Sequence, residues 1–599
     1  MAKDLPSRSE VKVEDTWKLE DMYPNKEAWE QDVAECVRIG NEIAKFEGKV
    51  CENAKTLKEV LDLDTKVDWM LTFAYDYAAR LHDQDTADTE HTAMSAKIFM
   101  TYSQVGAQTS FIAPEIVDLD EEALEGFYKE LPELEFYRKY IDEIRRLKAH
   151  RLSAELEKVI AMTSEMANTP SDARGMLDNA DMVFPEITDA NGEKSRITHG
   201  RYVRFLESAD RRVRKEAFEG LYGEYKKYLN TYAALYNGQV KQQVFYAKVR
   251  KYNSTLEAAV DANNVSPKVY QILVDTVNKN LDKLHRYVKL RKKCLGLDEL
   301  HMYDIYTPMI KDVAKTYTFE EAKDLVLKAL APLGEDYVAI VKKGFDERWI
   351  DVYENKGKRS GAYSAGAYGC HPYVLLNFSG SLDEVFTLAH EMGHAMHSYF
   401  SNEAQPYIYS DYTIFVAEVA STCNEMLLLD YMLKNTTDEN MRFYLLNHYL
   451  DSFKGTIFRQ TQFAEFEMLT NKMVEDGESL NADNLSSLYL DINKRYYGED
   501  MISDPEIAYE WARIPHFYYN FYVYQYATSL SASVTIAQRI LKEGAPMVEK
   551  YKNFLRGGCT LPPVDLLRQV DIDLETPVPI QDAFDVMSKV LDEMESMVK

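Results

Sequence analysis

The sequence predicts a mainly α-helical protein, and three observations carry that prediction. Only 25 Gly and 18 Pro occur in 599 residues, so few positions break a long helix. Apolar residues recur at three- and four-residue spacing with charges between them, as in ALEGFYKELPELEFYRKYIDEIRRLKAH over 123–150. Signals for strands are sparse.

From Lys26 to about Ala180 the periodic pattern predicts a run of amphipathic helices. VFPEITDANGEKSRIT (183–198) then reads as a hairpin turning at Asn191-Gly192. A soft boundary is placed near residue 200, giving regions 1–200 and 201–599. Further amphipathic helices run to about 345. GAYSAGAYG (361–369) lacks the Lys-Ser/Thr that a P-loop needs, because Ala367 follows Gly366, so a mobile loop or hairpin is expected. PYVLLNF (372–378) reads as a short strand.

Composition removes several classes of function. With 70 Lys+Arg against 98 Asp+Glu, the formal charge is −28, which disfavours nucleic acid and anionic membranes as partners. The basic runs Arg291-Lys292-Lys293 and Arg145-Arg146 read as solvated helix faces. No apolar run is long enough to span a bilayer, and the charged opening MAKDLPSRSEVKVEDTW has no signal-peptide core. Six scattered cysteines without CxxC pairs fit free thiols in a reducing cytoplasm.

The chemistry concentrates in SLDEVFTLAHEMGHAMHSYF (381–400). Leu382, Val385, Phe386, Ala389, Met392, Met396 and Tyr399 repeat at helical spacing, and Ser381 with Glu384 forms a capping box. His390 and His394 stand four apart, so both imidazoles lie on one face, one turn apart, where they can share a metal ion. Glu391 points partly aside and can handle a water at that metal. Random placement of 12 His and 98 acidic residues gives about 0.04 such matches, so chance is a poor explanation.

A hydrolytic zinc site needs a third protein ligand and one open position. His397 lies one turn beyond His394 and is expected to pack rather than to ligate. Glu418 is the better candidate. It sits among Val416, Ala417, Val419 and Ala420, where a carboxylate needs a cation, and 24 residues leave room for a loop (401–412) and a returning helix. Glu425, two turns on, can accept the other ring N–H of a ligand histidine.

HEMGH (390–394) and FVAEVASTCNE (415–425) resemble the thimet-type oligopeptidase family of zinc metallopeptidases, and within it the oligoendopeptidase F group. The resemblance covers nearly the whole chain. TWKLEDMYPNKEAWEQD (16–32) is similar to the family's opening, GKRSGAYSAGAYGCHPYVLLNF (357–378) to its substrate-side loop and strand, and LRGGCTLPPVDLLRQVDIDLETPVPI (555–580) to its close. RIPHFYYNFYVYQYATS (513–529) is similar to its tyrosine-rich active-site segment.

The resemblance implies two helical halves around a deep substrate channel, with a small β-element beside the zinc-binding helix. It implies an N-terminal helical domain (1–200), a catalytic domain (201–599), and one Zn²⁺ per chain held by His390, His394 and Glu418. Glu391 is the expected general base and acid. His516 and Tyr526, then Tyr519 and Tyr522, are the expected oxyanion donors; read as a helix, the segment would put the three tyrosines on one face. Tyr373, Val374 and Leu375, with Tyr363, are the expected substrate contacts, through strand addition along 373–378. The expected reaction is hydrolysis of internal bonds in short unstructured peptides in the cytoplasm. The oligomeric state, monomer or small homo-oligomer, is left open. Two other readings stand beside this one: a zinc exopeptidase of similar architecture, although the Gly-x-Met-Glu-Asn motif of one aminopeptidase class is absent, and a peptide-binding scaffold without catalysis.

Overall fold

The computed structural model describes residues 4–310 and 315–598; the first three residues of the charged N-terminal stretch lie outside them. Helices dominate, as the breaker-poor composition requires. Those that matter below are α1 (Lys26–Ile43), α2 (Ala54–Gln84), α3 (Thr89–Thr109), α4 (Ser164–Met176), α5 (Leu382–Ala404), α6 (Ile414–Asn435), α7 (Arg459–Glu475) and α8 (Tyr524–Glu543). Strands are short: β1 (Glu186–Thr188), β2 (Lys194–Arg196), β3 (Leu300–His301), β4 (Ile350–Asp351), β5 (Tyr363–Ala365), β6 (Tyr373–Leu375) and β7 (Met501–Ile502). No described helix is long and apolar enough to cross a membrane.

The chain forms two compact units, each assembled from three segments. The first comprises Met1–Ala149, Lys315–Leu428 and Ile536–Val570; the second comprises His150–Ala314, Leu429–Thr535 and Asp571–Lys599. Each compact unit therefore draws on residues from both sides of position 200.

In the first unit, α1, α2 and α3 pack their apolar stripes together. Trp29, Val33, Cys36 and Ile39 meet Leu57, Val60, Leu61 and Leu71, with Met94, Ile98 and Val105 closing the core. Their starts are set locally by Asn25, Asn53 and Asp88, whose side chains accept from the first free N–H groups. The same unit holds a three-stranded sheet in the order β4-β6-β5, with β6 parallel to β4 and antiparallel to β5. The glycine-bearing stretch 361–369 is thus half of a hairpin, and β5 packs against α5.

In the second unit, Asn191-Gly192 turns the expected hairpin: β1 pairs antiparallel with β2, and Gly192 takes φ 86°. The basic run at 291 is not wholly a solvated face. Arg291 is 1% exposed, and its two terminal guanidinium nitrogens donate to the Tyr287 hydroxyl and the Asp304 and Thr307 carbonyls, which offsets the cost of burying the charge.

Candidate metal centre

α5 begins where the sequence places it. Ser381 Oγ accepts from Glu384 N, and Glu384 Oε2 accepts from Ser381 N. The helix continues to Ala404, a turn further than the motif alone suggested, and the stretch expected as a loop also holds a short helical turn at Tyr407–Ser410. Leu382, Val385, Phe386, Ala389, Met392 and Met396 are all buried.

α6 returns against α5 at very short range. A Cβ on Gly393 would stand 2.5 Å from the Ser421 Cα and 2.7 Å from the Ala420 carbonyl oxygen, so only glycine fits inside the motif. Asn424 fixes the register, donating to the Ala389 carbonyl (3.1 Å) while accepting from the Tyr337 hydroxyl (3.1 Å). Neither Gly393 nor Asn424 was expected to matter; a glycine inside a helical pattern was the signal available for the first.

The three expected ligands converge. His390 Nε2 and His394 Nε2 are 3.2 Å apart, and Glu418 Oε2 lies 3.4 Å from the first and 3.5 Å from the second. Ligand atoms about 2.05 Å from a tetrahedral ion are separated by about 3.3 Å, so this triangle has the dimensions of one face of a zinc site. Among the described residues it is the one His/Cys/Asp/Glu group able to hold a metal.

The surrounding groups fit a cation at that face. Glu425 Oε1 lies 2.5 Å from His390 Nδ1, which turns Nε2 toward the other ligands. Burial alone would lower the His390 pKa, but the hydrogen bond to Glu425 and the nearby carboxylates raise it to about 9. Burial pushes the Glu418 carboxyl up, yet the hydrogen bond and charge of His394, with His390 and Ser421, outweigh it and hold the group at about 2. Glu391 is 6% exposed, and its Oε2 is buried with no hydrogen-bond partner. Burial raises its pKa against the pull of both histidines, as suits a proton acceptor beside a metal.

His397 does not join the triangle. It is 1% exposed, stacks on Tyr412 with ring centroids 3.6 Å apart, and burial drops its pKa to about 3, so it packs as a neutral ring. Cys423 is fully buried with its thiol pushed up to about 12, and burial also raises Cys370; both are protonated, inert thiols at neutral pH.

The substrate-side expectation needs a correction. Tyr373, Val374 and Leu375 are each 0% exposed, and β6 is the central strand with β4 on one edge and β5 on the other. It has neither a free edge nor exposed side chains to offer a peptide. Within this sheet β5 is an outer strand. Its residues Tyr363, Ser364 and Ala365 are partly exposed, and Ser364 Oγ has no hydrogen-bond partner. The Tyr363 hydroxyl donates to Asp83 (2.8 Å), which orients its ring.

The tyrosine-rich segment lies in the second unit, and its backbone differs from the helical expectation. A single 3₁₀ turn covers Pro515–Tyr518, Asn520 and Phe521 take φ 55° and 58°, and helix resumes only at Tyr524. The side chains still gather. His516 lies 5.5, 6.3 and 6.2 Å from the rings of Tyr519, Tyr522 and Tyr526, and Tyr522 lies 5.4 Å from Tyr526. Tyr519 is 55% exposed, whereas His516, Tyr522 and Tyr526 are half-buried. Burial, then the Arg174 charge, lowers the His516 pKa, leaving a neutral ring with one N–H to donate. Arg174 of α4, absent from the expectations, donates to the Ala512 and Arg513 carbonyls and lies 5.4 Å from the Tyr518 ring.

A helix carrying His-Glu-x-x-His, a glutamate from a second helix completing the ligand triangle, and a buried carboxylate beside it define a helical metallopeptidase. Residues 204–586 match the family described as Peptidase family M3, and residues 115–184 match Oligopeptidase F. The chain is 47% identical over 597 residues to the oligopeptidase PepF of Bacillus subtilis, covering 100% of this chain and 89% of that one. A crystal structure from Chlamydophila abortus superposes with TM-score 0.92 at 36% identity, over 99% of this chain and 100% of that one. The oligoendopeptidase-F of Enterococcus faecium gives 0.75 at 38% identity, over 95% and 98%. The chain belongs to peptidase family M3 and is a metalloendopeptidase of the oligoendopeptidase F type.

Proposed function

We propose that the chain hydrolyses internal bonds of short unstructured peptides with one Zn²⁺ held by His390, His394 and Glu418. The ligand triangle of 3.2, 3.4 and 3.5 Å is the observation that carries this reading. Zinc bound there polarises a scissile carbonyl and makes an attacking water more acidic. Glu391, with its unpartnered Oε2, takes the water's proton and passes it to the leaving amine. Glu425 holds His390 in the ligating tautomer. His516 and Tyr526 donate to the developing oxyanion, with Tyr519 and Tyr522 framing them. The outer edge of β5 and Tyr363 receive the extended peptide backbone, so affinity comes mainly from the main chain and sequence preference is loose. Every residue given a role lies in 201–599, which we take as the catalytic part, with 1–200 a helical accessory. Six unpaired thiols suit a reducing compartment, the cytoplasm.

The test uses peptides of graded length capped at both ends, with cleavage mapped by mass spectrometry and metal measured on the purified protein. Internal cuts abolished by a chelator and restored by zinc are expected, with Glu418→Ala losing most bound zinc. Removal of terminal residues alone, or zinc content unchanged in Glu418→Ala, refutes the reading.

A further inference from the structure

The second unit contains a buried acid that the proposed mechanism does not use. Glu467 of α7 is 0% exposed. Its Oε1 accepts from the Phe521 backbone N–H at 2.7 Å, while Oε2 has no hydrogen-bond partner. An uncompensated carboxylate in such a place is costly, so burial raises the group to about 8, against the opposing pull of the Phe521 N–H. At neutral pH it is mostly a neutral acid whose carbonyl oxygen accepts one backbone hydrogen bond.

The recipient of that bond is the weakest point of the aromatic segment. Asn520 and Phe521 are consecutive non-glycine residues with φ 55° and 58°. Asparagine tolerates this region, but for a bulky residue such as Phe it is unfavourable. The turn persists because its surroundings over-determine it. Phe521 is buried, with its ring 5.6 Å from Tyr270, and Tyr270 lies 5.0 Å from Tyr524. On the other side, Phe517 packs against Phe463 and Phe466 of α7 (5.8 and 5.1 Å) and against Tyr236 (5.8 Å). Those contacts fix the apolar rings. The Phe521 N–H is fixed by Glu467 alone, one turn further along the same helix.

The turn also sets where functional side chains point. It separates His516 and Tyr519 from Tyr522 and Tyr526, so the 5–6 Å spacing of these rings spans the two left-handed residues. A register error of one residue would carry a phenol to another face.

We propose that Glu467 is a positioning residue: its buried carboxyl clamps the left-handed Asn520–Phe521 turn and thereby aims His516, Tyr522 and Tyr526. This rests on the reading that those groups serve the reaction. The bond needs an acceptor and not a charge, so glutamine replaces glutamate here and an apolar residue does not.

The experiment compares Glu467→Leu and Glu467→Gln in the full-length zinc-loaded enzyme. Turnover of an internally quenched peptide is measured together with hydrogen–deuterium exchange by mass spectrometry. Glu467→Leu is expected to raise exchange in peptides covering 514–526 and leave 385–425 unchanged. It is expected to lower kcat about tenfold or more, with KM moving less than about threefold and zinc content retained. Glu467→Gln is expected to restore both protection and kcat.

If Glu467→Leu fails to fold, Asn520→Ala strains the same turn from its exposed side. A loss of kcat that Asn520→Gly does not share supports the clamp, because glycine accepts positive φ. Equal kcat in the two Asn520 variants overturns it. Unchanged exchange at 514–526 in Glu467→Leu, or wild-type kcat while His516→Ala loses activity, also overturns it. Full turnover in both His516→Ala and Tyr526→Phe instead refutes the catalytic reading of the segment, and the positioning role falls with it.

Discussion

The side chains of the candidate metal centre and the tyrosine-rich segment are built on opposite kinds of backbone. His390, Glu391 and His394 ride on one uninterrupted helix, and Glu418 and Glu425 ride on another. Helical periodicity then fixes which side chains share a face, whatever surrounds them. His516, Tyr519, Tyr522 and Tyr526 span a 3₁₀ turn, two left-handed residues and the start of a helix. No regular backbone relates them, and the residues beside them, Arg513, Tyr518, Phe521 and Tyr524, contact Arg174, Tyr236, Glu467 and Tyr270, all distant in sequence. A helical site is thus robust in geometry and demanding in chemistry, whereas the irregular one is demanding in geometry as well.

The largest expected effect separates chemistry from construction. Glu391→Gln keeps the shape of α5 and the ligand triangle, so bound zinc should stay near one per chain while kcat falls about 10³-fold or more. Metal analysis beside peptide turnover checks it; near-normal turnover would end the general-base assignment. Next comes Tyr526→Phe, which removes one phenolic donor without disturbing packing. A drop in kcat of about 10²-fold with little change in KM is expected, and an effect confined to KM would make Tyr526 a binding group instead.

Glu425→Gln should act through the metal and not through the turn. Zinc affinity is expected to weaken about 10–100-fold, read by competition with a chromogenic chelator, while saturating zinc restores most turnover. Unaltered affinity would leave the 2.5 Å contact with His390 without a function.

The smallest effect concerns stability. Folded Glu467 keeps its proton to about 8, whereas an ordinary glutamate releases it near 4.5. Between those values unfolding releases a proton, so rising pH favours the unfolded chain; below 4.5 there is no penalty, and above 8 it is complete. Glu467→Gln removes this dependence. Its Tm relative to wild type should rise from pH 5 to pH 8.5, and a flat difference across that range would contradict a buried neutral acid.

Much of the fold and the metal site was legible because it is local. The 381–384 capping box, the i, i+4 histidines and the Asn191-Gly192 turn each depend on a few neighbouring residues, and each stands in the structure as read. Glu418 was legible by elimination: a carboxylate among apolar helix neighbours needs a cation. The misreadings concern partners. PYVLLNF was correctly a strand, but its place between β4 and β5 is set by segments 350–351 and 363–365, so its edges are filled and a peptide cannot use them. Arg291 looked like part of a solvated run because its carbonyl partners at 304 and 307 become neighbours only in the fold.

The sequence by itself determined the helical class, the capped motif helix, its i, i+4 histidine pair and the chemistry those residue types support. These follow from periodicity and side-chain inventory, which are properties of short stretches. Only the tertiary structure decided that β6 is central, that Gly393 is the contact point of α5 with α6, and that a turn at 520–521 holds the aromatic side chains together. Those outcomes depend on which distant groups satisfy buried hydrogen bonds and fill space. A one-dimensional pattern does not record that choice, because long-range packing and desolvation set its energy.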